Sequence, residues 1–321
     1  MSNFLQLGYK GSNRWWMYGL TLLLVFIGIQ FATIPLSIAA YIQVDYDYYE
    51  FLEGAATSFL NIGMNSNLYL FLMIFTFIGA LCVLYLCIRY LHKKDFKDII
   101  TSREKIDWNR VVFAFLIWGF VAVLVIGAQI FLFPENYIWN FKAIPFFTLV
   151  VISFLFLPFQ TSTEEIIFRG YLMQGFAVLS GNRWFPLLTT SIIFGALHLM
   201  NPEVEKLGYI SMVFYIGNGL FYGITTLMDE GLELALGLHA VNNIVAAFFV
   251  TTDWTVFQTD ALYIDISEPS VNLEMYLPVF VLYPFVLGLF WKRYEWQDWQ
   301  SKLFGRLEKP IAEPTIIENE E

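Results

Sequence analysis

The sequence has little charge, cysteine or histidine. Only 14% of its 321 residues are charged and 58% are hydrophobic, whereas soluble domains carry roughly 25% charged residues. So apolar a chain has too few polar groups to cover its surface, and lipid is expected to solvate much of it. The chain is therefore predicted to be an all-α, polytopic integral membrane protein.

Positive charge and thiols are also scarce. The 18 lysines and arginines are outnumbered by 28 acidic residues, which gives a net charge of -10. Nucleic-acid binding needs a concentrated positive face, so the lipid bilayer is an expected partner and nucleic acid is not. The two cysteines, Cys82 and Cys87, share one apolar run, which indicates buried thiols and not a disulfide framework or a metal clip.

Apolar runs of about twenty residues, the length that crosses a bilayer as a helix, predict about eight spans. The first run is too long for a signal-peptide core and has no cleavage site behind it, so it is expected to remain in the protein. The predicted spans are residues 17–41, 68–90, 111–133, 144–163, 184–200, 208–228, 232–250 and 275–291.

The orientation of these spans follows from lysine and arginine, which prefer cytoplasmic loops. They precede the first span, fill the loop 92–110 and follow the last span, whereas the other loops are mainly acidic. Both termini are thus predicted to be cytoplasmic, which requires an even number of crossings. Segment 164–179 is therefore interpreted as a non-spanning continuation or a shallow interfacial helix. His92, beside Lys93 in the basic loop, is expected to be solvated.

No repeat or shift of composition marks a second domain. The predicted organisation is N-terminal spans over 1–143 with the basic cytoplasmic loop 92–110, a core over 144–250, an outside loop with the last span and a basic cytoplasmic end over 251–308, and a disordered acidic tail over 309–321.

Ionisable residues inside membrane spans are costly and usually functional, and one group of them follows the fourth apolar run. Glu165 and Arg169 are four residues apart with the acid first, the favourable order for a helical ion pair. Their pairing leaves Glu164, about 100° round the helix, free to activate water in a poorly solvated site. The alternative is that both glutamates are the polar end of a span and face the headgroups.

Two histidines also fall inside apolar runs. His198 follows Phe194 by one helical turn, and a structural hydrogen bond between helices would explain it as well as catalysis. His239 and Asn243 share one helix face, where they could donate hydrogen bonds to an oxyanion; Asn242 could partly replace Asn243. Residues that make unrelated structural hydrogen bonds would not be expected to supply a base, an acid and oxyanion donors together on adjacent spans.

These motifs, EExxxR at 164–169, FxxxH at 194–198 and HxxxN at 239–243, resemble the CPBP family of intramembrane proteases. That family includes CAAX prenyl endopeptidases of the Rce type and bacteriocin-processing relatives of the Abi group. The resemblance covers about residues 144–250. It implies an intramembrane endopeptidase that cleaves a membrane-associated protein or peptide, with a lipid-modified, CAAX-like substrate as one option.

The resemblance also implies a role for each motif. Glu164 would activate the hydrolytic water with help from His198. His239 and Asn243 would stabilise the tetrahedral oxyanion. The helix of the first motif would be held in place by its ion pair, Glu165 and Arg169.

The family is often described as metalloproteases, so the cofactor stays open between none and a divalent metal such as zinc. The chain has no HExxH motif, but Glu164, His198 and His239 could still supply three zinc ligands. A metal-free glutamate mechanism is favoured, because a carboxylate that binds metal would leave the water without a base.

The three proposed site residues are not expected at the same depth in the membrane. His239 is expected roughly 10 Å inside the cytoplasmic face, whereas Glu164 and His198 fall at opposite ends of their runs. A bend at Pro158, or a fifth span that projects into the cytoplasm, would be needed to bring them together.

Two other functions are alternatives to the protease. They are a proton-coupled transporter and a non-catalytic membrane scaffold or immunity protein.

Overall fold

The structure, a computed structural model, describes residues 3–271 and 273–310. From residue 311 onward the predicted acidic tail lies outside the described residues. The α-helices are α1 Trp15–Gln43, α2 Tyr48–Ala56, α3 Ser66–Leu86, α4 Trp108–Leu132, α5 Ala143–Glu165, α6 Met173–Ser180, α7 Trp184–Ala196, α8 Pro202–Leu207, α9 Met212–Asp229, α10 Glu233–Phe248, α11 Tyr283–Tyr294 and α12 Trp299–Phe304.

The prediction of an all-α, polytopic membrane protein is confirmed. In the part of the chain that the structure describes, five helical stretches are long and apolar enough to cross a membrane. Two further predicted spans are the shorter apolar helices α7 and α10, and the last consists of a π-helical turn, Pro278–Leu282, followed by α11. The five long stretches are Trp15–Gln43, Ser66–Leu91, Trp108–Leu132, Ala143–Ser180 and Tyr209–Asp229.

Burial separates peripheral from central helices. Only 11% of the apolar window of α1 or of α4 is buried within the protein, against 56% for the stretch that contains α9. Large side chains such as Phe31 and Phe131 are mostly exposed, as expected of surfaces solvated by lipid. The core lies around α9, which packs on α7 and α10, while α10 also packs on α4 and α5.

The fourth span is longer than the apolar run that predicts it. After α5 the helix continues through a π-helical segment, Ile166–Leu172, into α6, so that one helix of 38 residues runs from Ala143 to Ser180. At 1.5 Å per residue this helix is about 57 Å long, more than the ~30 Å hydrocarbon core. Segment 164–179 is thus a largely buried continuation of the span and not a shallow interfacial helix.

Small structures close the two ends of the bundle. At one end, β1 Tyr137–Trp139 pairs antiparallel with β3 Tyr263–Asp265, which pairs parallel with β2 Val250–Thr251. At the other end, here called the basic end, Arg103 reaches the start of α10 and the end of α9. Its guanidinium lies 3.0 Å from the buried carboxylates of both Asp229 and Glu233.

The prediction that His92 is solvated is wrong. Its side chain is fully buried, with Nδ1 2.9 Å from the Ser12 carbonyl oxygen. Nε2 lies 2.8 Å from the Tyr171 hydroxyl and 3.2 Å from that of Thr21. The basic loop is therefore folded against α1 and the long helix. Both ring nitrogens of His92 have hydrogen-bond partners, as buried polar groups require.

Candidate active site

The centre of the site is the side chain of Glu165, which is fully buried. Its Oε1 accepts from Nη1 of Arg169 at 3.0 Å and from Nδ1 of His239 at 2.7 Å. The ion pair that the i,i+4 spacing predicts is present, and both partners have zero side-chain exposure. A fully buried arginine needs such compensation, so Glu165 both neutralises Arg169 and orients the imidazole of His239.

Glu164 lies beside this pair and is partly open, with 14% of its side chain exposed. Its Oε2 faces Nε2 of His239 at 3.7 Å, too long for a direct hydrogen bond. Because the Nδ1–H of His239 donates to Glu165, Nε2 is the ring nitrogen directed at Glu164. Glu165 thus binds one nitrogen of the ring, and Glu164 faces the other.

The lengths of the long helix and of α10 bring the two glutamates and His239 to the same depth in the helix bundle. The long helix runs unbroken past Pro158 and extends 16 residues beyond Glu164, so the motif lies within it and not at its end. α10 begins at Glu233, about 9 Å along the axis before His239. The π-helical segment that starts at Ile166 directly after the two glutamates is a form often found at functional sites.

His198 lies apart from this group, in the turn that follows α7. Its Nδ1 contacts the Phe194 carbonyl oxygen at 2.8 Å, and its ring stacks on Tyr215 with centroids 4.4 Å apart. The Phe194 ring packs against both imidazoles, with centroids 4.8 Å from His198 and 6.0 Å from His239. Among the described residues, no hydrogen bond joins His198 to Glu164 or His239.

Asn243 reaches the site through a glutamine that the motifs do not contain. Nδ2 of Asn243 donates to Oε1 of Gln160 at 3.4 Å, and Nε2 of Gln160 donates to Oε1 of Glu164 at 3.1 Å. Asn242 does not take the place of Asn243; its amide donates to Oδ1 of Asn243 at 3.3 Å and accepts from the Trp118 indole at 3.1 Å.

Aromatic rings and one backbone carbonyl enclose the charged centre. The His239 imidazole stacks on Tyr222, with centroids 4.8 Å apart and planes 21° from parallel. The Arg169 guanidinium lies 4.3 Å from the centroid of Phe194, a distance at which cation–π attraction is significant. It also donates to the Gly219 carbonyl at 3.3 Å. These contacts hold the His239 ring and the Arg169 guanidinium in place.

The described residues do not form a zinc site. They contain no cluster of three histidine, cysteine, aspartate or glutamate side chains that could hold a metal ion. The three residues proposed as ligands do not converge, because no contact in the described part of the chain joins His198 to Glu164 or His239. A three-ligand catalytic zinc does not fit this arrangement of Glu164, His198 and His239.

Three residues of the site are not among the motif residues. Gln160 lies four residues before Glu164, so the helical spacing could have identified it. Trp118 on α4 and Tyr222 on α9 had no such signal, because aromatic residues are abundant in every apolar run of this chain. Only the packing of α4, α9 and α10 shows that these two side chains belong to the site.

Comparisons with known proteins agree with the motifs. The family described as type II CAAX prenyl endopeptidase Rce1-like matches residues 143–245, a segment that contains all three motifs. A Bacillus subtilis (strain 168) protein named uncharacterized protein YyaK is 31% identical over 192 residues, which cover 60% of this chain and 64% of the relative. No solved structure matches significantly. Residues 143–245 thus match the Rce1-like family model, which confirms the resemblance to the CPBP family.

Proposed function

We propose that this chain is an intramembrane endopeptidase of the glutamate type, which hydrolyses a peptide bond of a membrane-associated protein or peptide. The observation that carries the proposal is the pair of carboxylates around His239, with buried Glu165 on Nδ1 and partly exposed Glu164 facing Nε2. Such a base beside an oriented imidazole, held among apolar helices, supports acid–base hydrolysis.

In the proposed reaction Glu164 accepts a proton from a water molecule as the water oxygen attacks the carbonyl carbon of the substrate. The carbonyl oxygen becomes an oxyanion, which accepts hydrogen bonds from the amide of Asn243 and from Nε2–H of His239 in its imidazolium form, with Glu165 as the counter-charge. Glu164 then gives its proton to the leaving nitrogen as the C–N bond breaks. The products are a carboxylic acid and an amine, and transfer of the acid's proton to the amine gives a carboxylate and an ammonium group.

His198 would assist from the side of α7. Only its Nε2 is available, because Nδ1 donates to the Phe194 carbonyl. Catalytic contacts are often loose before substrate binds, so His198 is assigned to the water or the substrate and not to a direct contact with Glu164.

The substrate and topology belong to the same proposal. The similarity of residues 143–245 to CAAX endopeptidases supports a lipid-modified, CAAX-like peptide as the first substrate to test. Residues 144–250 would form the catalytic core, with 1–143 and 251–308 as flanking membrane segments. With both termini in the cytoplasm, the site would lie in the cytoplasmic half of the bilayer.

The test uses purified chain in proteoliposomes and an internally quenched peptide that ends in a farnesylated cysteine and three further residues, beside its unprenylated form. Glu164→Gln is expected to lower cleavage about 10²- to 10⁴-fold, the usual contribution of a general base. Glu50→Gln, on the exposed α2, is the matched control and should leave cleavage unchanged. Cleavage by a folded Glu164→Gln variant at the normal rate would refute the assignment.

A further inference from the structure

The amides around Glu164 form a continuous chain of hydrogen bonds that crosses three helices. It starts at the Trp118 indole on α4, passes through Asn242 and Asn243 on α10, and ends at Gln160 and Glu164 on α5. The donor-to-acceptor distances along it are 3.1, 3.3, 3.4 and 3.1 Å.

The two ends of this chain determine its direction. An indole N–H can only donate, and an ionised carboxylate can only accept. Each of the three amides between them has one acceptor oxygen and one donor nitrogen, so a single orientation of all three satisfies every link. Were any one amide reversed, two acceptors or two donors would face each other.

We propose that Gln160, Asn242 and Trp118 are positioning residues, forming a one-directional relay that orients the Asn243 amide and the Glu164 carboxylate. The catalytic meaning of the relay rests on the function proposed above, in which Asn243 and Glu164 act on substrate.

The relay leaves both acting groups free to react. An amide nitrogen carries two hydrogens, so Asn243 can bind Gln160 with one and offer the other to an oxyanion. Gln160 occupies Oε1 of Glu164, while Oε2 faces His239. Gln160 thus links the proposed base to the proposed oxyanion donor and sets the distance between them.

The relay also extends the site beyond the segment that resembles known proteases. Trp118 lies outside residues 143–245 and is 5% exposed, on a helix in which the sequence shows no motif. Through the relay α4 contributes to the site, because the indole N–H of Trp118 orients Asn242 and, through Asn242, Asn243.

The first test compares variants of Gln160 on the farnesylated quenched peptide. Gln160→Met keeps the length but removes both polar groups, and Gln160→Glu is nearly isosteric but cannot donate to an ionised Glu164. Both are expected to lower kcat about 10- to 100-fold, the effect of losing one hydrogen bond to a charged group, with KM nearly unchanged. Gln129→Met, a half-buried glutamine elsewhere on α4, is the matched control.

The second test separates a relay from independent packing effects. Trp118→Phe keeps a ring but loses the N–H, and should lower kcat less than Gln160→Met. Because the two act along one chain, the double variant should be no worse than Gln160→Met alone, whereas unconnected sites would multiply their losses. Multiplied losses, or a folded Gln160→Met variant as active as the wild type beside an inactive Glu164→Gln, would overturn the relay.

A readout without cleavage distinguishes the relay from the proposed function. The same double-variant cycle is measured by thermal unfolding in detergent, where the relay predicts that the two losses of stability are not additive. If the stability losses are not additive but the Glu164→Gln variant is active, the proposed base is refuted and the hydrogen-bond chain is supported. Additive stability losses would refute the chain itself.

Discussion

Glu165 is a tightly constrained side chain, because one of its oxygens serves two partners. The sequence predicts the contact with Arg169 from a spacing of four residues, and the structure adds Nδ1 of His239 on the same oxygen. Oε2 is buried and has no hydrogen-bond partner among the described residues. Glu165 is therefore expected to matter for folding, whereas the partly exposed Glu164 matters for the reaction.

Glu165→Gln should destabilise the protein by about 3 to 5 kcal/mol, because it leaves the fully buried guanidinium of Arg169 without a counter-charge. Thermal unfolding in detergent measures the change. The neighbouring Glu164→Gln is the matched control and should shift the unfolding temperature little while removing activity. Equal unfolding temperatures for the two variants would contradict this division of roles.

At the scale of elements, the contact between α7 and α9 depends on residues without side chains. A Cβ at Gly219 would lie 2.8 Å from the Cα and carbonyl oxygen of Ser191, and one at Gly223 would lie 2.6 Å from a methyl group of Leu187. The small-xxx-small spacing thus brings two backbones close together, as it does between membrane helices generally. The carbonyl of Gly219 then reaches Arg169.

Gly219→Val should separate α7 from α9 and cost about 1 to 3 kcal/mol, the usual range for overpacking. The expected result is a lower unfolding temperature and faster proteolysis, together with weaker cleavage because Arg169 loses its carbonyl partner. Gly127→Val on α4, where a Cβ would meet nothing within 4 Å, is the control and should be nearly neutral. If both variants unfold at the wild-type temperature, the close approach at Gly219 does not stabilise the contact between α7 and α9.

At the scale of the whole molecule, the chain segments at the basic end are part of the folded core. Phe4 is fully buried, and its carbonyl accepts from Gln174 on the long helix at 3.1 Å. Lys94 donates to the Gly8 carbonyl at 2.7 Å and is 5% exposed. Residues that the sequence places in a solvated basic loop thus connect the N-terminal segment to the helix of the first motif.

Stability should therefore rise with pH in two windows. Burial lowers the pKa of Lys94 from 10.5 to about 8, against the opposing effect of Asp98. Between pH 8 and 10.5 the unfolded chain binds more protons than the folded one, so the free energy of unfolding increases with pH. Burial also lowers the pKa of His92 below 6.5, an effect that its hydrogen bond to Ser12 opposes, so stability should fall as pH drops below 6.5.

Thermal unfolding in detergent from pH 5 to about pH 10, the range that these side chains titrate, tests both windows. Lys94→Met should remove the alkaline rise and leave the acid loss in place, because Met carries no proton to release. Lys93→Met, at a mostly exposed neighbour, is the matched control and should keep both. If stability still rises at alkaline pH in Lys94→Met, another group causes the rise.

By itself the sequence determined that lipid solvates this protein, because that follows from composition. It also identified the pairs set by helical spacing, such as Glu165 with Arg169, because i,i+4 contacts follow from local order. Tertiary structure decided the partners that lie on different helices. Glu165 binds His239, Trp118 enters the site, and His92 is buried instead of solvated. These contacts depend on how helices pack and how far each extends, and no spacing along the chain encodes either.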